Sequence, residues 1–308
     1  MSRFPIGIDP GPSALPPAAT LILVRQHKGE LQAYLLRRSP RSAFMPGLFV
    51  FPGGLVDPAD RDDAFWTDRL DRPPETIGAQ LGKGAGLSAV LRFAVAAVRE
   101  TFEEAGVLFA VRAGGGYAPW REANERRLTE GLRHGWLRTR VETDGWKLAL
   151  SDLRPWAHWI TPVGMPRRFD TRFFVAALPE GQDGRPDARE TTEGLWVSPG
   201  QALVRNMDGL TPLSPPTLVT LNALLAYATL GSLQEGLRHR GWGEPIFPRL
   251  IALGKGRGTV IIEPWDPMYG QEDLRIAADE LPQRLLPAGA PFSRLWNDGG
   301  IWKPVDLN

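Results

Sequence analysis

Arg99-Glu100-Thr101-Phe102-Glu103-Glu104-Ala105-Gly106-Val107 is the stretch that decides how this chain folds, read together with Phe51-Pro52-Gly53-Gly54-Leu55-Val56-Asp57 upstream of it. Apolar spacing predicts a helix over Leu87 to Gly106, with Ser88 as its N-cap and Gly106 as its stop. At about 100° per residue, Glu100, Glu103 and Glu104 fall within roughly one quadrant of that helix. Leu91, Ala94, Val95, Val98, Phe102 and Ala105 form the opposite stripe, which should pack against a sheet. Like charges at these spacings repel and also oppose the macrodipole near a helix C-terminus. Something cationic should offset that cost. Ala96 and Ala97, one turn earlier, are expected to leave room for a substrate.

A Glu-rich helix face is ordinarily just a solvated surface, so the chemistry rests on what the face could hold. The chain has no cysteine and only four histidines, a poor supply for zinc, whereas carboxylate oxygens suit hard dications. Mg²⁺ or Mn²⁺ is the expected cofactor. Such an ion could bridge diphosphate oxygens and activate a bound water for attack on phosphorus.

Outward from this helix, Ala19 to Val24 and Gln32 to Leu36 read as strands joined by a turn at His27 to Glu30. Leu48 to Phe51 is a third strand that ends at Pro52-Gly53-Gly54. An acidic, Pro- and Gly-rich insertion occupies Arg61 to Ser88, and a charged helix is expected over Ala118 to His134. Trp156 to Thr161, Thr171 to Leu178 and Gly194 to Val197 have strand character, a long helix runs from Ser214 to about Arg238, and strands recur near Leu250 to Ile262. With 308 residues, 43% hydrophobic and 23% charged, the chain is an ordinary globular α/β protein. A net charge of +1 gives no field for nucleic acid. The apolar run Thr217 to Leu230 is too short for a membrane span, and Met1 to Pro17 lacks the form of a secretory signal. A cytoplasmic setting is expected.

The joined pattern resembles the Nudix box, G-x5-E-x7-R-E-U-x-E-E-x-G-U with U a bulky apolar residue. Arg99 to Val107 matches its second half, with Thr101 at the first U, and Asp60 stands six residues after Gly54 where the family has Glu. Between Asp60 and Arg99 lie 38 residues where the box has seven, so an insertion splits the motif. Such a box is similar to the branch that includes the peroxisomal coenzyme A diphosphatases. Arg38-Ser39, Ala43-Phe44-Met45-Pro46-Gly47, Trp159-Ile160-Thr161-Pro162, Arg167 to Phe174 and Trp265 to Tyr269 carry the same likeness, which extends from Ala19 to Tyr269. The coenzyme A signature of that branch has an arginine where this chain has Ala43, with Arg41 two residues away.

The resemblance implies a Nudix α/β/α sandwich with a mixed sheet: a hydrolase domain over 18–213, insertions at 61–88 and 113–150, and a C-terminal helical extension over 214–308. It implies Asp60 paired with Arg99, and Glu100, Glu103 and Glu104 as metal ligands completed by a main-chain carbonyl near Gly53 or Gly54. Glu190 and Glu193, before a late strand, are the candidates for a further carboxylate or general base. Arg37, Arg38, Arg41, Arg167, Arg168 and Arg172 are candidates for substrate phosphates, though each also reads as a solvated arginine, and Arg172 as a partner of Asp170. The glycine-rich Gly82 to Gly86 and Gly254 to Gly258 lack phosphate-loop spacing and read as connections. The implied substrate is a small diphosphate: coenzyme A or acyl-coenzyme A first, NADH or ADP-ribose second. No nucleic acid or membrane partner is expected, and a homodimer is an option. A non-catalytic Nudix-fold binding protein ranks last, since all three glutamates are present.

Overall fold

In the computed structural model, which describes residues 15–254, 257–272, 274 and 276–306, strand β1 (Pro17–His27) is the middle of the fold because both its faces are buried. Ala19, Leu21 and Leu23 enter one core, while Ile22 and Val24 enter the other. The turn to β2 (Glu30–Arg38) places Lys28 and Gly29 at φ 49° and 85°, the paired left-handed geometry of a tight hairpin. β3 (Phe49–Val50) pairs with β2 and β4 (Gly53–Leu55) with β1.

After a 3₁₀ turn at Pro58–Arg61, residues 61–88 contain α1 (Asp63–Thr67), α2 (Pro74–Ile77) and a π turn at Gly78–Gly82. Trp66, Leu70, Ile77 and Leu81 pin this first insertion to the core. Helix α3 (Leu91–Ala105) follows, shorter at its start than the sequence suggests. Leu87 to Val90 form a turn instead, so Val90 and not Ser88 flanks the helix. Gly106 ends it at φ 70°, a left-handed conformation that favours glycine.

The second insertion comprises β5 (Ala110–Arg112), α4 (Trp120–Thr129), α5 (Trp136–Asp144) and β6 (Trp146–Leu148). The helix expected over Ala118 to His134 is thus only ten residues long. β7 (Arg154–Ile160), β8 (Asp170–Ala177) and β9 (Thr191–Val197) complete a seven-stranded mixed sheet. Its central path is β3-β2-β1-β8-β7, with β1 and β8 parallel and the other pairs antiparallel.

α3 and the insertions cover one face; α6 (Pro199–Met207), α7 (Pro215–Leu224) and α8 (Leu230–Leu237) cover the other. The long helix expected from Ser214 breaks between α7 and α8, where Thr229 starts a new helix by a capping box with Ser232. Among the described residues, the segment expected as a helical extension has its α-helix in these two elements, with a 3₁₀ turn at Leu281–Arg284. Its remainder contains an antiparallel sheet of β10 (Arg249–Ala252), β11 (Thr259–Ile262), β12 (Arg294–Asp298) and β13 (Ile301–Pro304). Thr259-Val260-Ile261-Ile262 is β-branched throughout and favours strand. Residues 1–14 of the lead-in, and Lys255 and Gly256 of the second glycine-rich turn, lie outside the described residues. No helix among those described is long and apolar enough to cross a membrane.

Candidate active site

Helix α3 buries its apolar stripe completely against the sheet, which fixes the direction of its acidic face. Ala96 and Ala97 belong to that buried contact; their small side chains permit close packing and do not open space for a substrate. The glycine turn meets the acidic face directly. Gly53 N–H donates to Glu104 Oε2 at 3.0 Å. A Cβ built on Gly54 would collide with the Glu100 carboxylate, so only glycine permits the approach.

Arg99 organises the rest. Its Nε and Nη2 donate to the Asp60 carboxylate at 3.1 and 2.9 Å, joining the two halves of the split motif. Nη2 also donates to Leu55 O at 2.8 Å, while Nη1 reaches Glu100 Oε1 at 2.9 Å and Glu103 Oε2 at 3.0 Å. Burial works against the guanidinium charge, but the bonds and charges of Asp60, Glu100 and Glu103 outweigh it and raise its pKa.

The glutamates respond oppositely. Burial raises Glu100 to about 7 against the pull of Arg99, and it also raises Glu103. Glu104 is 4% exposed, and burial followed by repulsion from Glu100 lifts it well above the ordinary carboxylate range. Negative charge at this site is undercompensated by protein cations.

Residues of the second insertion close over the end of α3. Arg127, itself buried, donates to Glu103 O at 3.0 Å and to Arg185 O at 2.7 Å, and the Trp120 indole donates to Gly106 O. These donors satisfy carbonyls that a helix C-terminus leaves open, and Arg127 adds a cation where the macrodipole favours one. Trp136 Nε1 donates to Glu103 Oε1 at 2.9 Å. Sequence spacing gives no sign of these contacts. Asp57, inside the quoted glycine stretch, also faces the site and lies 3.5 Å from His134.

A cavity of about 550 Å³ opens here, with Gly53, Gly54, Asp57, Glu100, Glu103 and Glu104 in its wall. Glu190, Arg38 and Arg167 share that wall. So do apolar groups from other elements: Trp159, Phe173, Pro215, Ile261 and Trp302. Arg38 is steadied by Ser42 Oγ at 3.2 Å and Phe44 O at 3.0 Å.

Other sequence candidates lie elsewhere. Glu193 is exposed and faces Arg37 at 3.7 Å, away from the cavity wall. Arg41 is exposed and does not line the cavity. Arg168 donates to Thr161 O at 3.0 Å and sits over Phe247. Arg172 takes the opposite face of β8 from Thr171 and Phe173, because side chains alternate along a strand. There it pairs with Asp170 at 3.0 Å and stacks between Phe93 and Trp242. His158, also bound to Asp170 at 2.6 Å, belongs to the same structural group.

Residues 16–224 match the model of the family described as the NUDT19 Nudix domain. The chain belongs to this Nudix family. It is 30% identical to the acyl-coenzyme A diphosphatase NUDT19 of Gallus gallus over 86% of this chain and 82% of that protein. To the Homo sapiens protein of the same name it is 28% identical, over 94% and 90% of the two chains. The crystal structure of a Nudix hydrolase from Alicyclobacillus acidocaldarius superposes with a TM-score of 0.59 at 28% identity, over 72% of this chain and 96% of that one. This Nudix chain is therefore an enzyme acting on diphosphate bonds, and its α/β fold is that of the family.

The Nudix glutamates suit a hard dication by chemistry: an all-oxygen donor set, buried, with more negative charge than Arg99 and Arg38 offset. As they stand, no three acidic or imidazole side chains among the described residues form a cage. Arg99 draws Glu100 and Glu103, and Gly53 holds Glu104 by its N–H. The glycine turn meets the acidic face through that N–H.

Proposed function

We propose that this enzyme hydrolyses the diphosphate of coenzyme A or acyl-coenzyme A, yielding 3′,5′-ADP and 4′-phosphopantetheine or its acylated form. The observation that carries this reading is the cavity whose single wall joins the acidic face of α3, Arg38 and Arg167, and the apolar Trp159, Phe173, Ile261 and Trp302. A diphosphate fits the first two, and an apolar arm fits the third. The names of the Gallus gallus and Homo sapiens relatives support the same substrate class.

In this reading Glu100, Glu103 and Glu104 hold Mg²⁺ or Mn²⁺. The ion supplies charge stabilisation on the phosphoryl oxygens and a lowered pKa for water. Arg38 and Arg167 donate to phosphate oxygens and orient the anhydride across the acidic face. Glu190 sits in the cavity wall and takes the proton of the attacking water, while Glu193 is set aside because it lies outside the cavity. As the water oxygen bonds to one phosphorus, the bridging P–O bond breaks and the bridging oxygen leaves with the other phosphoryl group, giving the two monoesters.

A dinucleotide such as NADH or ADP-ribose is the second reading, favoured by Ala43 at the coenzyme A signature position and by Arg41 lying outside the cavity wall. Mass spectrometry of products from coenzyme A, acyl-coenzyme A, NADH and ADP-ribose, with and without Mg²⁺, separates them. Release of 3′,5′-ADP only with the metal supports the proposal. Preferential cleavage of the dinucleotides replaces it.

A further inference from the structure

The Glu103 carboxylate has two partners of different kinds. Arg99 holds Oε2, and the indole N–H of Trp136 holds Oε1 at 2.9 Å. Trp136 is 7% exposed, and its ring packs on Phe102, the residue before Glu103, at 4.5 Å between centroids. It also opens α5 of the second insertion, 33 positions further along the chain. Side-chain packing and the hydrogen bond together leave Glu103 little rotameric freedom on the side of the helix that faces the cavity.

The choice of donor has chemical content. An indole offers one N–H and no acceptor, and it is neutral. A lysine or arginine at the same place would restrain the carboxylate equally well but would repel a dication bound to it. A carboxylate has about four lone-pair sites, so one N–H on Oε1 and one from Arg99 on Oε2 leave acceptor capacity on both oxygens.

We infer that Trp136 is a positioning residue that orients Glu103 toward a bound divalent cation, so that the second insertion forms part of the ion site. This rests on the reading of Glu103 as a metal ligand given above. Outer partners of metal-binding side chains commonly matter by about tenfold to a hundredfold in affinity.

The test uses the full chain and Mn²⁺ alone, titrated by electron paramagnetic resonance without substrate. Trp136→Phe keeps the ring and removes the N–H. The expected result is a Kd for Mn²⁺ raised at least about tenfold, with Tm little changed, KM for substrate unchanged and kcat largely recovered at saturating metal. Trp146→Phe, in the same insertion, should leave the Kd unaltered. Glu103→Gln is the reference: if it does not weaken Mn²⁺ binding, the ligand reading itself fails. If Glu103→Gln weakens binding and Trp136→Phe does not, only the role of Trp136 is overturned. Should Trp136→Phe not fold, the unaltered protein answers by NMR of the Trp136 indole N–H, identified by its contacts to the Phe102 ring. A shift that saturates with Mg²⁺ at the calorimetric Kd supports the inference, and an indole signal indifferent to Mg²⁺ refutes it.

Discussion

Asp60 and Arg99, 39 positions apart in the chain, form a buried ion pair in which Nε lies 3.1 Å from Oδ1 and Nη2 lies 2.9 Å from Oδ2. Both residues are almost fully enclosed. Removing one partner of such a pair strands the other in low dielectric, at a cost of about 3 to 5 kcal/mol. Asp60→Ala should fall at the lower end, about 3 kcal/mol, because Glu100 and Glu103 still face Arg99. Urea unfolding checks this, and a loss below about 1 kcal/mol would contradict it.

Glu104→Gln should lower kcat by at least about a hundredfold, and Glu103→Gln likewise, since metal-bound charge stabilisation is worth several kcal/mol. Stability should move the other way at position 104. The amide cannot ionise, so it escapes the burial and the repulsion from Glu100 that disfavour the carboxylate, and Tm should hold or rise. Steady-state kinetics and calorimetry on the same preparation test both halves, and an unchanged kcat in a folded variant defeats the assignment.

Gly54→Ala tests the close approach of the glycine turn. The added methyl must displace the Glu100 carboxylate, and misplacement of a reacting constellation by about an ångström can cost about a hundredfold in rate. The variant should remain folded, because Gly54 is not fully buried and the clash is with a side chain. Normal kcat at ordinary metal concentration would show that the turn does not shape the site.

Glu263 supplies a pH prediction away from the catalytic face. It is wholly buried after β11, neither carboxylate oxygen has a partner, and burial raises its pKa to about 8. The native state then retains a proton that the unfolded chain releases above about pH 4.3. Unfolding free energy therefore falls as pH rises from that value toward 8, by at most about 1.4 kcal/mol per unit. Glu263→Gln should remove this component and flatten the profile. Parallel profiles for the two proteins between pH 5 and 8 would show that Glu263 is not protonated in the fold.

Much of the site was legible because its determinants are local. Helical periodicity grouped Glu100, Glu103 and Glu104, and the glycine turn with Asp60 could be joined to Arg99 despite the split. Strand periodicity carries part of the rest. Once Phe173 is known to face the cavity, alternation along β8 sends Arg172 to the other side. The distinction between Glu190 and Glu193 was out of reach, since it depends on the path of a loop bound at Asp187 and Ser39. Helix boundaries failed where turns compete with helix: at Leu87 to Val90, and at the Thr229 cap that divides α7 from α8. Trp120, Arg127 and Trp136 were invisible because their partners are set by tertiary packing.

The donors at the end of α3, Trp120, Arg127 and Trp136, all come from residues 113–150. A chain without residues 113–150 would keep Glu100, Glu103 and Glu104, yet would strip Gly106 O, Glu103 O and Glu103 Oε1 of the groups that now bind them. Three acceptors beside the acidic face would then need new donors, so these residues serve as a brace for α3 as well as a cover for its end.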